Sequence, residues 1–567
     1  MFVFTPFISS TGISTMDTLS RFETHIVENQ PSIMPAYNLW QDDSMLRHYV
    51  LQHLPESSVS SLAVLSDYGQ LAGSTLMEHG ELANKNKPVL HVFDRYGRRK
   101  DEVAFHPSYH ALMDSAMKYH IHNYSWLNEQ TQGAHVVRSA LMYMHYQAES
   151  GTSCPLTMTH AAVPAMRYGQ KLPAYWLKKL INGVYDPRAL PAKSKNGLTI
   201  GMGMTEKQGG SDVRRNTTVA TLQSDGSYRL VGHKFFFSAP MCDAHLVLAQ
   251  AKGGLSCFLV PRILDNGALN NVRIQRLKDK LGDWSNASSE VEFQEAEAYL
   301  LGEEGRGVPV IIDMVSLTRL DCMIGSSALM RQALVQAVHH VSHRDAFGST
   351  LINQPLMKNV LADLTIECAA ATALTMRVAK AVDDAPRDKQ EAGFARIATA
   401  IGKYWVCKRS VAFVNEAQEC LGGIGYVEEN PMPRYYRQAP LNSIWEGSGN
   451  VQCLDVLRAL AKDPNAKDAL FAELERQKGK HKCYDQHLAT LLDAFSNTED
   501  MEIRSRYITE QTALGLQGAV LLESGQGAIA DTFCTTRLGR KQGLSFGTLP
   551  SNTPFADILT FSALHGS

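Results

Sequence analysis

The chain has 567 residues, 44% of them hydrophobic and 20% charged, with 55 Lys and Arg against 57 Asp and Glu. That length exceeds what one core supports and predicts three or four domains, while a formal charge of −2 excludes a wholesale nucleic-acid binder and leaves only local basic surfaces. The ten cysteines stand singly with no Cys-x-x-Cys pair, which fits reduced thiols in a cytoplasm, and no apolar run approaches the roughly 20 residues of a membrane span.

Residues 1–20 lack a basic segment and a cleavage site and read as a flexible extension rather than a signal peptide. From 21 to 195 the pattern is mostly helical, with helical apolar spacing in Ala134–Ala148 and 175–181. A hairpin interrupts it: Val89–Phe93, a turn at Arg95-Tyr96-Gly97, then 103–105. At about 196 the period changes, and 198–204, 217–222, 228–231, 234–237, 245–249 and 257–260 read as short strands of a middle β domain ending near Phe293, within 196–300. Long helical blocks follow at 308–345, 351–383, 390–420 and 450–461, an antiparallel bundle over 301–462. The last stretch, 463–567, opens with charged residues and adds roughly three helices as an appended domain. The fold class expected is α+β multidomain.

One segment concentrates chemistry. In Ile444-Trp445-Glu446-Gly447-Ser448-Gly449-Asn450 a carboxylate stands between an indole and a glycine turn. Apolar flanks desolvate a carboxylate and raise its pKa toward that of a general base; the glycines allow backbone to approach a flat ligand, and Ser448 and Asn450 offer hydrogen bonds. Gly209-Gly210-Ser211 is either a pyrophosphate-holding loop or a hairpin corner; it has neither Walker nor Rossmann spacing. Gly422 and Gly423 either cap a helix or let backbone pass a cofactor. Arg437 either pairs with a carboxylate or is solvated. His339 and His343, four apart on a helix, have metal-ligand spacing but no Glu in an H-E-x-x-H pattern, and read as a polar helix end with no metal.

Together these motifs resemble the acyl-CoA dehydrogenase family. Gly203-Met204-Thr205-Glu206-Lys207-Gln208-Gly209-Gly210-Ser211-Asp212 resembles its first signature, Glu419 through Arg437 its second, and Trp445-Glu446-Gly447-Ser448 the segment of its catalytic glutamate. His343-Arg344-Asp345-Ala346-Phe347-Gly348 with Gln354 resembles its Arg-x-x-Phe-Gly element. Within the family, 202–212, 230–234, 256–258 and 442–450, with Phe105-His106-Pro107 and the helical segment after 465, resemble the AidB-type branch, flavoproteins of the bacterial response to DNA alkylation, so that the resemblance covers nearly the whole chain after the first 20 residues or so.

The resemblance implies a helical domain, a barrel-like β domain, a four-helix bundle and an extra helical domain, with FAD between β domain and bundle. It implies cofactor contacts from Met204, Thr205, Gly210, Ser211, Phe236, Phe237, Ser238, Ile444, Trp445, Ser448 and Asn450, and contacts to a neighbouring subunit's FAD from Arg344, Phe347, Gln354, Gly422 and Gly423, within a homotetramer. Glu446 would be the catalytic base, with Arg319, Arg437 and Trp445 around the substrate. Other members carry the base on a bundle helix just before an arginine; here Thr318 stands there, before Arg319. Gln438 replaces the usual acid after Arg437, and Trp445 is bulkier than the usual Tyr, which would shorten an acyl pocket. The implied function is double-stranded DNA binding in the alkylation response with at most weak acyl-CoA oxidation; the alternative is a working short- or branched-chain acyl-CoA dehydrogenase. For DNA, residues 462–567 hold 11 Lys and Arg against 13 Asp and Glu. Arg476, Lys478, Lys480, Lys482 and Arg537, Arg540, Lys541 form two local clusters there, and Arg98, Arg99, Lys100 a third; each also reads as a solvated face.

Overall fold

The computed structural model describes residues 22–58 and 61–564, so the expected N-terminal extension lies outside the described residues. The N-terminal region is helical around a central pair, Ala134–Ala148 and Ser153–Arg167, both almost entirely buried. Helix starts follow local chemistry. The Asp43 carboxylate accepts from Leu46 N–H to open Ser44–Leu51, and His106 with Pro107 opens Pro107–Lys118. The hairpin forms from Val89–Phe93 and Arg99–Ala104, turning through Gly97 at φ 81°.

The middle region closes into a barrel. Strand Ala244–Ala251 pairs antiparallel with Gly254–Pro261 on one edge, and in parallel with Ile200–Gly203 and Val219–Leu222 on the other. Val219–Leu222 pairs with Tyr228–Ser238, which pairs with Ser288–Leu301, and that strand returns to Gly254–Pro261. Val272–Leu277 adds to Ser288–Leu301. Two expectations are corrected here. Segments 228–231 and 234–237 are one strand. The region does not end near Phe293, because Ser288–Leu301 runs through it as the longest strand. Its alternation is broken in the middle: Val291 and Phe293 point inward, then Ala296 and Ala298 do, with Glu295 at φ 61° taking up the extra residue. A bulge of one residue shifts the phase of a period-2 pattern and hides the strand from it.

Helix Gly307–His343 runs the length of the bundle beside Pro355–Asp384 and Lys389–Glu419. Small side chains allow the close approach; a Cβ at Gly325 would lie 2.5 Å from the Tyr146 ring. The C-terminal helices Pro464–Glu475, Lys482–Ser496 and Met501–Glu523 share one continuous apolar core with the bundle and the N-terminal helices. Buried ion pairs tie the layers: Arg138 to Asp321, Arg331 to Asp43, and Arg377 to both Glu391 and Glu473. Of the ten cysteines all are unpaired and nine are buried. Among the described residues no helix is long and apolar enough to cross a membrane.

Candidate active site

Glu446 sits at φ 56° in the turn between two helical segments, with Gly447 at φ 95°. A non-glycine residue held there stores strain of about 1–3 kcal/mol and persists only when its surroundings over-determine it. They do. Lys403, buried within Lys389–Glu419, donates from Nζ to the carbonyls of Trp445 (2.7 Å) and Gly447 (2.5 Å). Gln452 Nε2 donates to the carbonyls of Glu446 (3.0 Å) and Gly447 (2.9 Å), and Arg319 Nε to that of Glu446 (3.2 Å). Arg319 is itself braced by Asp455 at 2.7 Å, which Arg396 also holds at 2.8 Å.

Among the described residues the Glu446 carboxylate accepts a single hydrogen bond, from Thr318 Oγ1 to Oε2 at 2.7 Å. Burial pushes its pKa up from the ordinary carboxylate value, and the Thr318 bond and the charges of Lys403 and Arg319 pull the other way without cancelling it. Oε1 accepts no hydrogen bond from any described residue. Trp445 donates from Nε1 to Asn442 Oδ1 at 2.9 Å and packs, with Met202 and Met204, on the apolar cluster containing Met314 and Leu317. Asn442 is in turn fixed by Tyr146 OH and Ser326 Oγ, both 3.1 Å. Gln438 donates to Tyr146 OH (3.1 Å) and accepts from Asp283 N–H (2.9 Å). An ionised acid there could not donate to the phenol, which accounts for the neutral amide.

On the barrel side, Glu206 organises the loop carrying Met204, Thr205, Gly210 and Ser211. It accepts from Lys234 Nζ (2.8 Å), from the N–H of Thr217 (2.7 Å) and Thr218 (3.1 Å), and from the Thr218 hydroxyl (2.6 Å). Burial pushes this carboxyl up, but Lys234 and the threonine donors outweigh it and hold it below the ordinary range; burial lowers Lys234 to about 8. Gly210 wraps Thr205 so closely that a Cβ would lie 2.3 Å from its Oγ1. Phe236 and Ser238 lie on the outer face of their strand, and Lys278 Nζ stands 3.2 Å from the Phe235 ring centroid and 4.7 Å from that of Phe236. Phe237 alternates to the opposite face: it is buried in the barrel and stacked on His245 at 3.8 Å. Its side chain is therefore withdrawn from the expected ligand face.

The remaining expected residues lie elsewhere. Arg344, Phe347, Gln354, Gly422 and Gly423 are on an outer surface, where Phe347 is 100% exposed and a Cβ at Gly422 or Gly423 would meet nothing within 4 Å. Ile444, Ser448 and Asn450 are exposed beside the Glu446 turn. Arg437 is not at Glu446: its guanidinium lies 4.0 Å from the Trp284 ring and pairs with Glu428. In the C-terminal clusters, Arg537 is a correction. Its side chain is 5% exposed and bridges Asp363 and Glu367, so it is spent inside the core. Arg476 pairs with Glu473 and Glu523. Lys478, Lys480, Lys482, Arg540 and Lys541 are exposed, and the two clusters adjoin, since a Cβ at Gly539 would lie 3.0 Å from Cys483 Sγ. Sequence reasoning missed Lys403, Gln452 and Asp455; the signal was a polar side chain, charged at 403 and 455 and an amide at 452, set inside otherwise apolar helical faces.

Comparison with known proteins follows the same order along the chain. Residues 29–187 match the adaptive response protein AidB N-terminal domain, 201–296 the acyl-CoA dehydrogenase middle domain, and 305–461 the acyl-CoA dehydrogenase C-terminal domain. The acyl-CoA dehydrogenase-like AidB of Escherichia coli (strain K12) is 46% identical over 527 residues, 92% of this chain and 96% of that protein. Acyl-CoA dehydrogenase family member 11 of Caenorhabditis elegans is 29% identical over 512 residues, 88% of this chain and 82% of that one. The crystal structure of Caenorhabditis elegans ACDH-11 in complex with C11-CoA superposes with a TM-score of 0.83 at 26% identity, covering 94% of each chain.

Proposed function

The chain belongs to the acyl-CoA dehydrogenase family, whose cofactor is FAD, and on that premise we propose that it oxidises an acyl-CoA thioester between Cα and Cβ, with Glu446 taking the α-proton. The observation that carries this reading is the Glu446 carboxylate: part-buried, raised in pKa, held through Oε2 by Thr318 alone among the described residues, and fixed in an otherwise unfavourable backbone conformation. A base that is positioned and partly stripped of donors is one poised to receive a proton.

The residues present fit the flavin. An outward Phe236 and Ser238, a glycine-wrapped Thr205 loop and a glycine pair with open space beyond it leave room for a flat ring and a pyrophosphate. When bound, FAD supplies the acceptor for the β-hydrogen as hydride. The chain's own part is to keep water away from Glu446, to hold its carboxylate through Thr318, and to bound the acyl end of the pocket with Trp445. The surface bearing Phe347, Gly422 and Gly423 would meet another copy in a homotetramer. The C11-CoA bound to the Caenorhabditis elegans relative supports an acyl-CoA ligand here. Anaerobic mixing of the FAD-loaded protein with short, branched and C11 acyl-CoAs tests the reading. Flavin bleaching by at least one of them, lost in Glu446→Gln, is expected; oxidised flavin with every one of them sinks it.

A second reading, binding of double-stranded DNA in the response to alkylation, is supported by the match of residues 29–187 to the adaptive response protein AidB N-terminal domain and by the exposure of Lys482, Arg540 and Lys541 on adjoining segments. Phosphate contacts release counterions and so bind with steep salt dependence. The expected result is a salt-sensitive mobility shift of duplex DNA that is lost in the triple variant Lys482→Gln, Arg540→Gln, Lys541→Gln. A shift that survives the triple change removes this patch as the contact surface.

A further inference from the structure

A cavity of about 670 Å³ lies between the hairpin Val89–Phe93 and Arg99–Ala104, the helix Pro107–Lys118 and the barrel end that follows Pro261. Neither Glu446, Thr318, Arg319 nor Trp445 lines it. Six charged side chains do, and five are already matched. Arg99 pairs with Asp101, Lys100 with Glu102, and Asp186 with Arg188, each at 2.7 Å, while Lys195 holds Asp243 at 2.5 Å.

Arg262 is the sixth. Its guanidinium makes no hydrogen bond or ion pair with any described residue, and its Nε is buried without a partner. The backbone keeps the side chain there: Arg262 N–H donates to Asp243 O at 2.8 Å, and Arg262 O accepts from Asn270 N–H at 2.9 Å. The nearby carboxylates Asp243 and Glu102 are taken by the two lysines. Burial lowers the Arg262 pKa, but a guanidinium stays charged at neutral pH. A part-buried guanidinium whose neighbouring carboxylates are hydrogen-bonded to other cations is unfavourable without a partner of its own.

The rest of the wall is mostly apolar, from Val103, Tyr109, Met113, Met241 and Leu269, with Thr199 and the hydrogen-bonded pair His110 and Tyr185 (2.7 Å) as its neutral polar members, and exposed Lys100, Ala189 and Gly267 line its outer part. That volume and lining suit a small molecule. One spare cation beside two wall carboxylates selects a single negative charge, and the fork of a guanidinium matches a carboxylate with two parallel hydrogen bonds. We propose that this cavity is a second ligand site, separate from the Glu446 turn, which takes an amphipathic monocarboxylate with its carboxylate on Arg262 and its apolar body against Met113, Met241 and Leu269.

Calorimetric titration of the FAD-loaded full chain with decanoate tests this, with inorganic phosphate as the second arm. Wild type should bind decanoate saturably and phosphate not at all. Arg262→Met should weaken decanoate at least tenfold while keeping its flavin content, and Arg262→Lys should also weaken it, since the charge remains but the fork is gone. Glu446→Gln should bind decanoate as wild type does, which separates this cavity from the acyl site. Without ligand, Arg262→Met should melt no lower than wild type, because it removes a part-buried charge that has no partner of its own. The proposal is overturned by absent or unsaturable decanoate binding, by phosphate binding as tightly, by unaltered binding in Arg262→Met, by lost binding in Glu446→Gln, or by a ligand-free Arg262→Met that melts lower.

Discussion

Glu206 in the barrel loop is fully buried and Glu446 in the bundle turn part-buried, both beside glycine-rich backbone, and they end in opposite electrostatic states. Glu206 receives an ammonium, two amide N–H groups and hydroxyl donors, and its pKa falls. Glu446 receives one hydroxyl, with Lys403 and Arg319 turned to the backbone carbonyls around it rather than to its oxygens, and its pKa rises. The supply of donors, more than burial, separates a carboxylate that fastens a loop from one that can accept a proton.

The comparison breaks most directly at Glu446. Glu446→Gln should slow flavin reduction by an acyl-CoA by about 10²–10⁴-fold while leaving flavin content unchanged, as stopped-flow absorbance would read; an unslowed variant would put the two carboxylates in the same class. The same substitution has a signed effect on stability. A carboxyl whose folded pKa lies above its unfolded value contributes stability that is present below the unfolded pKa, about 4.3, and lost as pH rises through the folded value. Glu446→Gln should therefore raise the melting temperature at neutral pH, and that gain should shrink to nothing as pH falls below the unfolded value.

Next in size, Lys234→Met should cost about 3–5 kcal/mol in urea unfolding, because it strands Glu206 as a buried charge. Adding Glu206→Gln should recover part of that loss; no recovery would mean that Lys234 acts through something other than the pair. Lys403→Met leaves the carbonyls of the Glu446 turn short of donors, at about 1–3 kcal/mol, and should slow flavin reduction more than it lowers flavin content. The smallest effect is expected from Thr318→Val. It removes the one donor that lowers the Glu446 pKa, so the rising limb of the pH–rate profile should move to higher pH while the rate at alkaline pH stays near wild type. A limb that moved to lower pH would contradict the assignment of that bond.

Much of this is legible in the sequence, for physical reasons that differ by element. The bundle helices announce themselves because long apolar stretches at helical spacing are a local signal; the Asp388 carboxylate that opens Lys389–Glu419 is local too. Strand Ser288–Leu301 was hidden by the bulge at Glu295, a two-chain pairing feature that a single chain's alternation cannot express. Phe236 and Phe237 look equivalent in sequence, and only the strand's placement on the barrel wall sends one outward and the other into the core. Arg537 looked like part of a solvated basic run until Asp363 and Glu367, far earlier in the chain, closed around it.

By itself the sequence determined the family, the order of helical, barrel and bundle regions, and a glutamate set between an indole and a glycine turn, since all of these are carried by residue types at short spacing. Tertiary structure alone decided which charges are spent and which are free. Thr318 meets Glu446 across 128 residues, Lys403 spends its charge on backbone carbonyls, and the Arg262 guanidinium stands unpaired among the described residues because the carboxylates near it are taken by Lys100 and Lys195. Pairing depends on distance in space and on exclusion of water, and neither is written in the spacing of residues along a chain.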